Sequence, residues 1–262
     1  MSNEINRYDL MMDAYTEVLS ESGVTHRTKP IPTQPTLSQV LANFGPMPDE
    51  ALFLGVASDE LPVLLNLYDS VPGPLLILGD PGSGKTDLLQ IIARAAGRMH
   101  QAEKLQFGTL TNHPDEWIGF DSIPNNVGIF PVQHRSSEDF ILSLASWAHG
   151  NKSSRQAVLL FLDDLESVSN METDTAQNLR WLLFRGPSRR VWPIITLNSN
   201  RIRNMENWLD AFHTRIFGNI KNSAHIRKLN VEHAQLETLA SGSEFTLSEG
   251  EHWLRFSIPE LD

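Results

Sequence analysis

The sequence predicts an α/β fold with a mainly parallel central sheet, and three observations support this prediction. From about residue 50 onward, short apolar stretches alternate with stretches of helical periodicity, which is typical of strand–helix–strand units. Residues 157–162 are apolar at every position, as in a strand that is buried on both faces of a sheet. A glycine-rich loop at residues 79–84 joins an apolar strand directly to a helix. These features favour parallel strands connected by helices.

Local periodicity and chain breakers predict the individual elements. Apolar residues recur at near-helical spacing among acids in residues 1–22, which predicts an amphipathic helix that either docks on the body of the chain or binds a partner protein. The proline-rich residues 29–35 predict an extended linker, and a short helix is expected around 37–44. The later elements are predicted, in order, as a hairpin over 52–56 and 63–67, a strand at 75–78, a helix at 86–99, a strand at 105–110, a helix at 137–149, a strand at 157–162, a helix at 174–184, a strand at 192–197, a helix at 205–212, a strand at 215–220, a helix at 231–239 and a closing hairpin within 244–258.

Length and composition narrow the class further. The 262 residues suffice for one or two domains, and we divide them into an N-terminal arm over 1–48 and one α/β domain over 49–262. The 32 acidic and 21 basic residues give a net charge of −11, which argues against a protein that coats nucleic acid with its whole surface. The absence of cysteine excludes disulfides and thiolate zinc sites. Because no signal-peptide core and no bilayer-length apolar run is found, we expect a cytoplasmic chain without a membrane segment.

Residues 79–86 match the phosphate-binding loop pattern GxxxxGK[ST] at every fixed position, between an apolar strand and a helix. Glycines let the main chain curl closely enough to point several N–H groups at a phosphate, and the following helix adds its positive end. The pattern predicts that Lys85 bridges the β- and γ-phosphates of ATP and that Thr86 binds Mg²⁺. The loop residues expected to bind the nucleotide are Gly79, Asp80, Pro81, Gly82, Ser83, Gly84, Lys85 and Thr86.

Two acids follow the apolar strand at residues 157–162. Asp163 ends this strand and is predicted to hold the Mg²⁺ ion, while Asp164 is placed to polarise the attacking water as a general base. Glu166 is the alternative base. The next strand ends at Asn198, which is predicted to orient the attacking water or to sense the γ-phosphate, the alternative being an ordinary Asx turn.

Seven further segments carry a family resemblance, and they are 55–57 (GVA), 62–67 (PVLLNL), 73–77 (GPLLI), 159–164 (LLFLDD), 179–190 (LRWLLFRGPSRR), 194–198 (IITLN) and 212–217 (FHTRIF). Together with the P-loop they resemble the FtsK/HerA superfamily of ATPases, over roughly residues 50–258. The resemblance implies a RecA-like (ASCE) P-loop NTPase domain with a mainly parallel sheet and small β additions before the P-loop and at the C-terminal end. This chain departs from the family in having Asn198 in place of the usual glutamine and Asp164 in place of glutamate. We also expect it to lack the transmembrane helices and the C-terminal winged-helix domain of the large chromosome translocases.

The resemblance also implies an assembly and a cargo. Such domains form rings, usually hexamers, with ATP at the subunit boundary and an arginine that reaches the neighbour's γ-phosphate. Arg185 occupies the matching place in this chain, with Arg189, Arg190 and Arg215 as second choices. We expect an ATP-hydrolysing motor that translocates duplex DNA through basic pore loops. The alternatives are a motor that moves protein and an ATP-binding switch subunit of a defence or mobile-element complex with little turnover.

Because the net charge is negative, DNA contacts are expected only in local basic clusters that a ring brings together. Trp117 could either stack on a base or fill the core. The clusters considered are Arg98, His100 and Lys104 after the P-loop helix, His134 and Arg135, residues 151–155, residues 188–190, and residues 201–203.

Overall fold

The computed structural model describes residues 34–151, 155–249 and 252–262. Over these residues, ten strands form one sheet, and residues Pro35–Asp262 form one compact unit. The helix predicted at 1–22 lies outside the described residues. The elements are α1 (Leu37–Phe44), β1 (Ala51–Ala57), β2 (Pro62–Asn66), β3 (Leu75–Gly79), α2 (Lys85–Met99), β4 (Leu105–Thr111), β5 (Asn126–Pro131), α3 (Arg135–Gly150), β6 (Ala157–Asp163), α4 (Thr173–Arg185), β7 (Val191–Asn198), α5 (Glu206–Leu209), β8 (Thr214–Phe217), α6 (Ser223–Leu229), β9 (Glu244–Glu249) and β10 (His252–Ser257).

The sheet has a parallel half that carries the predicted motifs. Its strand order is β8-β3-β7-β6-β4-β5, and every neighbouring pair in this half is parallel. Strand β7 therefore lies between the P-loop strand β3 and the acid strand β6. Because the carboxyl ends of parallel strands meet at one edge, this order brings the P-loop, the two acids and Asn198 to the same edge of the sheet.

The other half of the sheet is antiparallel and extends the parallel half beyond β8. Its order is β2-β1-β10-β9, and β9 pairs with β8. The predicted early hairpin is confirmed as β1 and β2, and the closing hairpin as β9 and β10. The α/β fold class with β additions before the P-loop and at the C-terminal end is thereby confirmed.

Two hydrophobic cores lie on the two faces of the sheet, as expected for strands buried on both sides. Alternate residues of β3 separate into the two cores, with Leu75 and Ile77 in one and Leu76 and Leu78 in the other. The first core contains apolar residues of α1 and α2, and the second contains those of α3 and α4. Trp117 is fully buried in the first core, so it fills the core and is not free to stack on a base.

Two local predictions differ from the structure, and one strand was not predicted. Residues 231–239 do not form an α-helix, because Asn230 and Gln235 have positive φ angles that interrupt the chain, and only 3₁₀ turns occur there. The α-helix of this region is α6, earlier in the chain. The helix predicted at 205–212 is a 3₁₀ helix over Ser199–Met205 followed by the single α-turn of α5. Strand β5 was not predicted.

Helix α1, which we assigned to the N-terminal arm from the sequence, contacts the last residues of the chain. Its first residue Leu37 donates its backbone N–H to the carbonyl of Glu260 at 2.9 Å. Arg98 at the end of α2 pairs with Asp262 at 3.0 Å and donates to the Ser38 hydroxyl. Within the described part of the chain, no helix is both long and apolar enough to cross a membrane.

Candidate nucleotide site

The P-loop leaves β3 at Gly79 and enters α2 at Lys85, as the motif predicts. Gly82 and Gly84 have φ angles of +76° and +88°, in the left-handed region that residues with a Cβ atom disfavour. These conformations turn the loop sharply, so that the first N–H groups of α2, which have no partner within the helix, face the loop. The local backbone therefore has the form of an anion-binding loop.

Lys85 is buried and its ammonium lies over the loop. Nζ donates to the carbonyl of Asp80 at 2.9 Å and, more weakly, to that of Gly79 at 3.3 Å. Burial lowers the pKa of Lys85, and the charges of Asp163, Asp164 and Asp80 partly oppose this effect. The Lys85 ammonium is thus held at the bend of the loop by carbonyl groups. A phosphate oxygen could replace these carbonyl groups as the hydrogen-bond acceptor of Lys85.

Asp163 joins three elements at the carboxyl edge of the sheet. Its Oδ2 accepts a hydrogen bond from the Thr86 hydroxyl at 3.0 Å, and its Oδ1 accepts one from the Thr196 hydroxyl at 2.9 Å. Thr196 in turn accepts the backbone N–H of Asp164 at 2.7 Å. Burial raises the pKa of Asp163, while the two threonine hydrogen bonds act in the opposite direction. Both Thr86 and Asp163 were predicted from the sequence to bind Mg²⁺, and the structure shows that their side chains are in direct contact.

These side chains fit a Mg²⁺ ion, because the Thr86 hydroxyl and the Asp163 carboxylate are hard oxygen donors of the kind that Mg²⁺ prefers. Across the described ranges, no group of three or more His, Asp or Glu side chains is arranged to hold a metal by itself. The remaining ligands of an ion at this position would therefore be water and nucleotide phosphate oxygens, which is the usual way Mg²⁺ is bound.

Asp164 has an unusual backbone, with φ of +89° and ψ of 103°. Its Oδ1 accepts the backbone N–H of Glu166 at 3.0 Å, which fixes the turn after β6. Asp164 lines a cavity of about 590 Å³, together with Asn112 and Ser167 among others. The carboxylate is thus partly exposed at the edge that carries the P-loop, and strain of this kind is commonly found at functional sites.

Glu166, the alternative base, is paired with an arginine. Its Oε2 lies 3.1 Å from Nε of Arg201, which follows β7. Arg201 was considered as a DNA contact, and this pairing occupies it within its own chain. The geometry therefore favours Asp164 over Glu166 as the carboxylate available to a water molecule.

Asn198 lies at the tip of β7, directly beside the P-loop strand. Its Cα is paired in register with that of Gly79. It precedes the 3₁₀ helix Ser199–Met205, but its side chain makes no capping hydrogen bond there. The Asx-turn alternative is therefore not what the structure forms, and the amide remains available at the edge of the site.

The candidate arginines lie away from the P-loop of their own chain. Arg185 ends α4, just before β7 begins, so it lies at the opposite edge of the sheet from the P-loop. Its side chain is exposed and has no hydrogen-bond or ion-pair partner among the described residues. Arg190 donates to the carbonyls of Leu67 and Arg155, and Arg215 donates to two carbonyls before β8, so both stabilise local structure.

A contact that sequence reasoning missed closes the P-loop from the C-terminal part of the chain. The Ser241 hydroxyl donates to the carbonyl of Gly82 at 2.9 Å, and the N–H of Gly242 donates to the carbonyl of Ser83 at 3.2 Å. A Cβ placed on Gly84 would lie 2.7 Å from the Cα of Gly242. Nothing in the local sequence signals this contact, apart from the glycine at 242.

Replacing Gly84 by alanine is expected to lower the melting temperature and to weaken ATP binding. The residue would have to keep a positive φ and would also push residue 242 away from the loop. Gly119 is a matched control, because its φ of +87° is nearly the same while the space around it is open. Thermal unfolding and nucleotide titration of the two variants separate the clash from the backbone strain. Equal losses of binding for both would contradict a specific function of the 84–242 contact.

Comparisons with solved structures identify the fold class. The chain aligns with EccC (ATPases 2 and 3) of Thermomonospora curvata in complex with a signal sequence peptide, at a TM-score of 0.65 and 12% identity over 87% of this chain and 43% of that chain. It aligns with the conjugation coupling protein TcpA of pCW3 at a TM-score of 0.62 and 12% identity, over 95% and 81%. It aligns with B204, the DNA-packaging ATPase of Sulfolobus turreted icosahedral virus, at 0.53 and 12%, over 72% and 98%.

The fold is shared with these ATPases. At 12% identity these likenesses show a shared fold, and it is the fold that the predicted resemblance implies. The chain spans less than half of the EccC chain that it matches. No protein-family model matches the sequence, and no curated protein matches it either.

Proposed function

We propose that this chain is a Mg²⁺-dependent ATPase that works as a ring-forming motor on duplex DNA. The observation that carries the proposal is the contact of Thr86 with Asp163 at 3.0 Å, beside the buried Lys85 and next to Asp164. A phosphate cradle, a metal-binding pair and a carboxylate base thus occur together at one sheet edge. When bound, ATP supplies the phosphoryl group that is transferred to water, and Mg²⁺ neutralises its charge.

Each side chain has one task in the proposed hydrolysis. The P-loop N–H groups and Lys85 bind the phosphates, and Thr86 with Asp163 holds the ion. Asp164 accepts a proton from the attacking water, and Asn198 orients that water with its amide. Arg185 serves the site of a neighbouring copy, because it lies at the opposite edge of the sheet from its own P-loop. A closed ring, with six copies as the proposed number, supplies such a neighbour to every site.

Mixing two inactive variants tests whether Arg185 acts across a subunit boundary. Arg185→Ala and Lys85→Ala are each expected to abolish hydrolysis in a uniform ring. Mixed rings are expected to regain part of the activity, because some boundaries combine an intact Lys85 with an intact Arg185. ATP turnover of the mixture measures this recovery, with Arg135→Ala, an exposed arginine on α3, as the control that stays active alone. No recovery in a mixed ring of normal mass would contradict action in trans.

The contacts within the chain change which basic residues we propose to bind DNA. The first of the basic clusters expected from the sequence is engaged within the chain: Arg98 pairs with Asp262, Lys104 pairs with Asp49 at 2.6 Å, and His100 is buried against the carbonyl of Ala51. A different segment at residues 221–228 carries three exposed cations and no acid. Their side chains have no ion-pair partner among the described residues, and they are Lys221, Arg227 and Lys228.

ATP turnover with and without duplex DNA, on a sample of known mass, tests the proposed cargo. We expect stimulation at low salt that falls as salt rises, because phosphate contacts release counterions. Replacing Lys221, Arg227 and Lys228 together by glutamine should reduce the stimulation and leave DNA-free turnover intact. Glutamine substitution at Lys104, which pairs with Asp49, forms the control. An intact oligomer whose turnover ignores DNA would contradict the proposal.

A protein cargo is the second candidate, and one cavity favours it. The cavity has a volume of about 500 Å³ and is lined by Trp253, Phe217 and Leu229 together with Arg215 and His233. Aromatic walls with a few polar groups suit an extended peptide. One structural neighbour, EccC, was solved with a signal sequence peptide. Stimulation of turnover by a partner protein, but not by DNA, would favour this alternative. Tight ATP binding with negligible turnover would favour the switch function instead.

A further inference from the structure

A line of hydrogen bonds runs from the second residue of the P-loop to helix α6. The Oδ1 atom of Asp80 accepts the hydroxyl of Ser199, and its Oδ2 atom accepts the backbone N–H of Lys221 at 2.9 Å. The Ser199 hydroxyl oxygen also lies 3.0 Å from Nδ1 of His225. The backbone N–H of Asp80 donates to the carbonyl of Asn219 at 2.9 Å. Asp80 is therefore held by groups from two separate parts of the chain, residue 199 and residues 219–221.

The number of available protons determines which group is the donor in each of these hydrogen bonds. A serine hydroxyl has one proton, and a carboxylate is a stronger acceptor than a neutral imidazole nitrogen. The Ser199 proton therefore goes to Asp80, and Nδ1 of His225 must be the donor to Ser199. The carboxylate contacts the serine and not the histidine, so this group is not arranged as a nucleophilic Ser-His-Asp triad. Instead, the three side chains form a series of hydrogen bonds in which His225 donates to Ser199 and Ser199 donates to Asp80 of the P-loop.

The position of Ser199 relates this series of hydrogen bonds to the nucleotide site. Ser199 is almost fully buried, with 1% of its surface exposed, and it directly follows Asn198. The carbonyl of Asp80 holds the Lys85 ammonium at 2.9 Å. A hydrogen bond that fixes Asp80 thus also fixes the loop segment that carries the Lys85 acceptor. The tip of β7 and the P-loop are joined both by strand pairing and by this side-chain bond.

We propose that Ser199 is a positioning residue, which pre-forms the P-loop for nucleotide by holding Asp80 and which is itself oriented by His225. A loop already fixed in its binding conformation loses less entropy when the ligand binds. The hydrogen bond between Ser199 and Asp80 holds the loop equally when the nucleotide is in its ground state and when it is in the transition state. Its loss should therefore weaken binding in the ground state and in the transition state equally.

Nucleotide titration and turnover of Ser199→Ala test this inference, which rests on the proposed function in taking the P-loop as the ATP site. We expect the Kd and the KM for ATP to rise about ten-fold, as for the loss of one hydrogen bond to a charged group. The kcat at saturating ATP should stay unchanged. His225→Ala should shift the Kd in the same direction by a smaller factor. Ser122→Ala is the control, because it also removes one serine hydrogen bond in an exposed turn.

A double-mutant cycle separates positioning from a general loss of structure. In an Asp80→Ala background, Ser199→Ala should have little further effect on the Kd, because both changes remove the same bond. Additive effects, or an unchanged Kd in both Ser199→Ala and His225→Ala, would overturn the inference while leaving the proposed function intact. A fall in kcat without a change in KM would also overturn it. Failure of the unmodified chain to bind ATP would overturn the proposed function itself.

Discussion

Replacing Lys85 by alanine is expected to abolish measurable ATP turnover and to weaken ATP binding by about 100-fold or more. The ammonium is buried and can donate to two phosphate groups, and each hydrogen bond between charged groups contributes about 1.5–3 kcal/mol. No other cation is within hydrogen-bond reach of the loop carbonyls that now hold it, among the described residues. The loss should therefore appear in the Kd as well as in kcat. Calorimetry or a fluorescent ATP analogue measures the binding.

The control for this experiment is Lys104→Ala. Lys104 is half exposed and forms an ion pair with Asp49, remote from the P-loop in the fold. An exposed pair of this kind contributes little to stability, so this variant should bind and hydrolyse ATP normally. If Lys85→Ala bound ATP as tightly as the unmodified chain, the loop would not be the nucleotide site.

Asp164→Asn is expected to preserve ATP binding and to slow hydrolysis by about 10²- to 10⁴-fold, the usual contribution of a general base. Asparagine keeps the Oδ1 acceptor that receives the Glu166 N–H at 3.0 Å, so the turn after β6 should survive the change. What is lost is the negative charge that would accept the proton of the attacking water. Single-turnover hydrolysis at saturating ATP measures the chemical step, and nucleotide titration confirms that binding is retained.

Glu166→Gln is the comparison for the base assignment. It breaks the ion pair with Arg201 but leaves Asp164 and its hydrogen bond in place. We expect only a modest change in turnover for this variant. If Glu166→Gln were the slow one and Asp164→Asn hydrolysed ATP at the normal rate, the assignment would have to be reversed. A large loss in both would indicate that Arg201 and Glu166 are needed to hold the turn.

The sequence predicted the parallel half of the fold because its signals are local. The P-loop, the apolar run of β6 and the acids after it are each recognisable within a few residues. Their meeting at one edge then follows from parallel pairing, since the strand order places β7 between β3 and β6. The strand order brings Thr86 and Asp163 to the same edge of the sheet, but it does not determine that their side chains are in contact.

The parts that the sequence did not predict depend on long-range contacts or on backbone conformations outside the usual regions. Asn230 and Gln235 adopt positive φ, which the helical spacing of apolar residues at 231–239 does not reveal. The bond from Ser199 to Asp80 joins residues 119 positions apart; Asp80 occupies a variable position of the P-loop pattern, and Ser199 belongs to no recognisable pattern. Nothing in the sequence distinguishes the exposed cations of 221–228 from Arg98, Lys104 and Arg201, which form ion pairs in the structure.

The contacts of Ser241 and Gly242 with the P-loop also affect the order in which the site can form during synthesis. The Ser241 hydroxyl and its acceptor on Gly82 are separated by 159 positions in the chain. At about 5–20 residues per second, the ribosome needs roughly 8–30 seconds to pass from one to the other. During that interval, the growing chain carries the complete glycine-rich motif without the groups that brace it. The nascent protein is therefore expected to gain full nucleotide affinity only when nearly all of the sheet has been made.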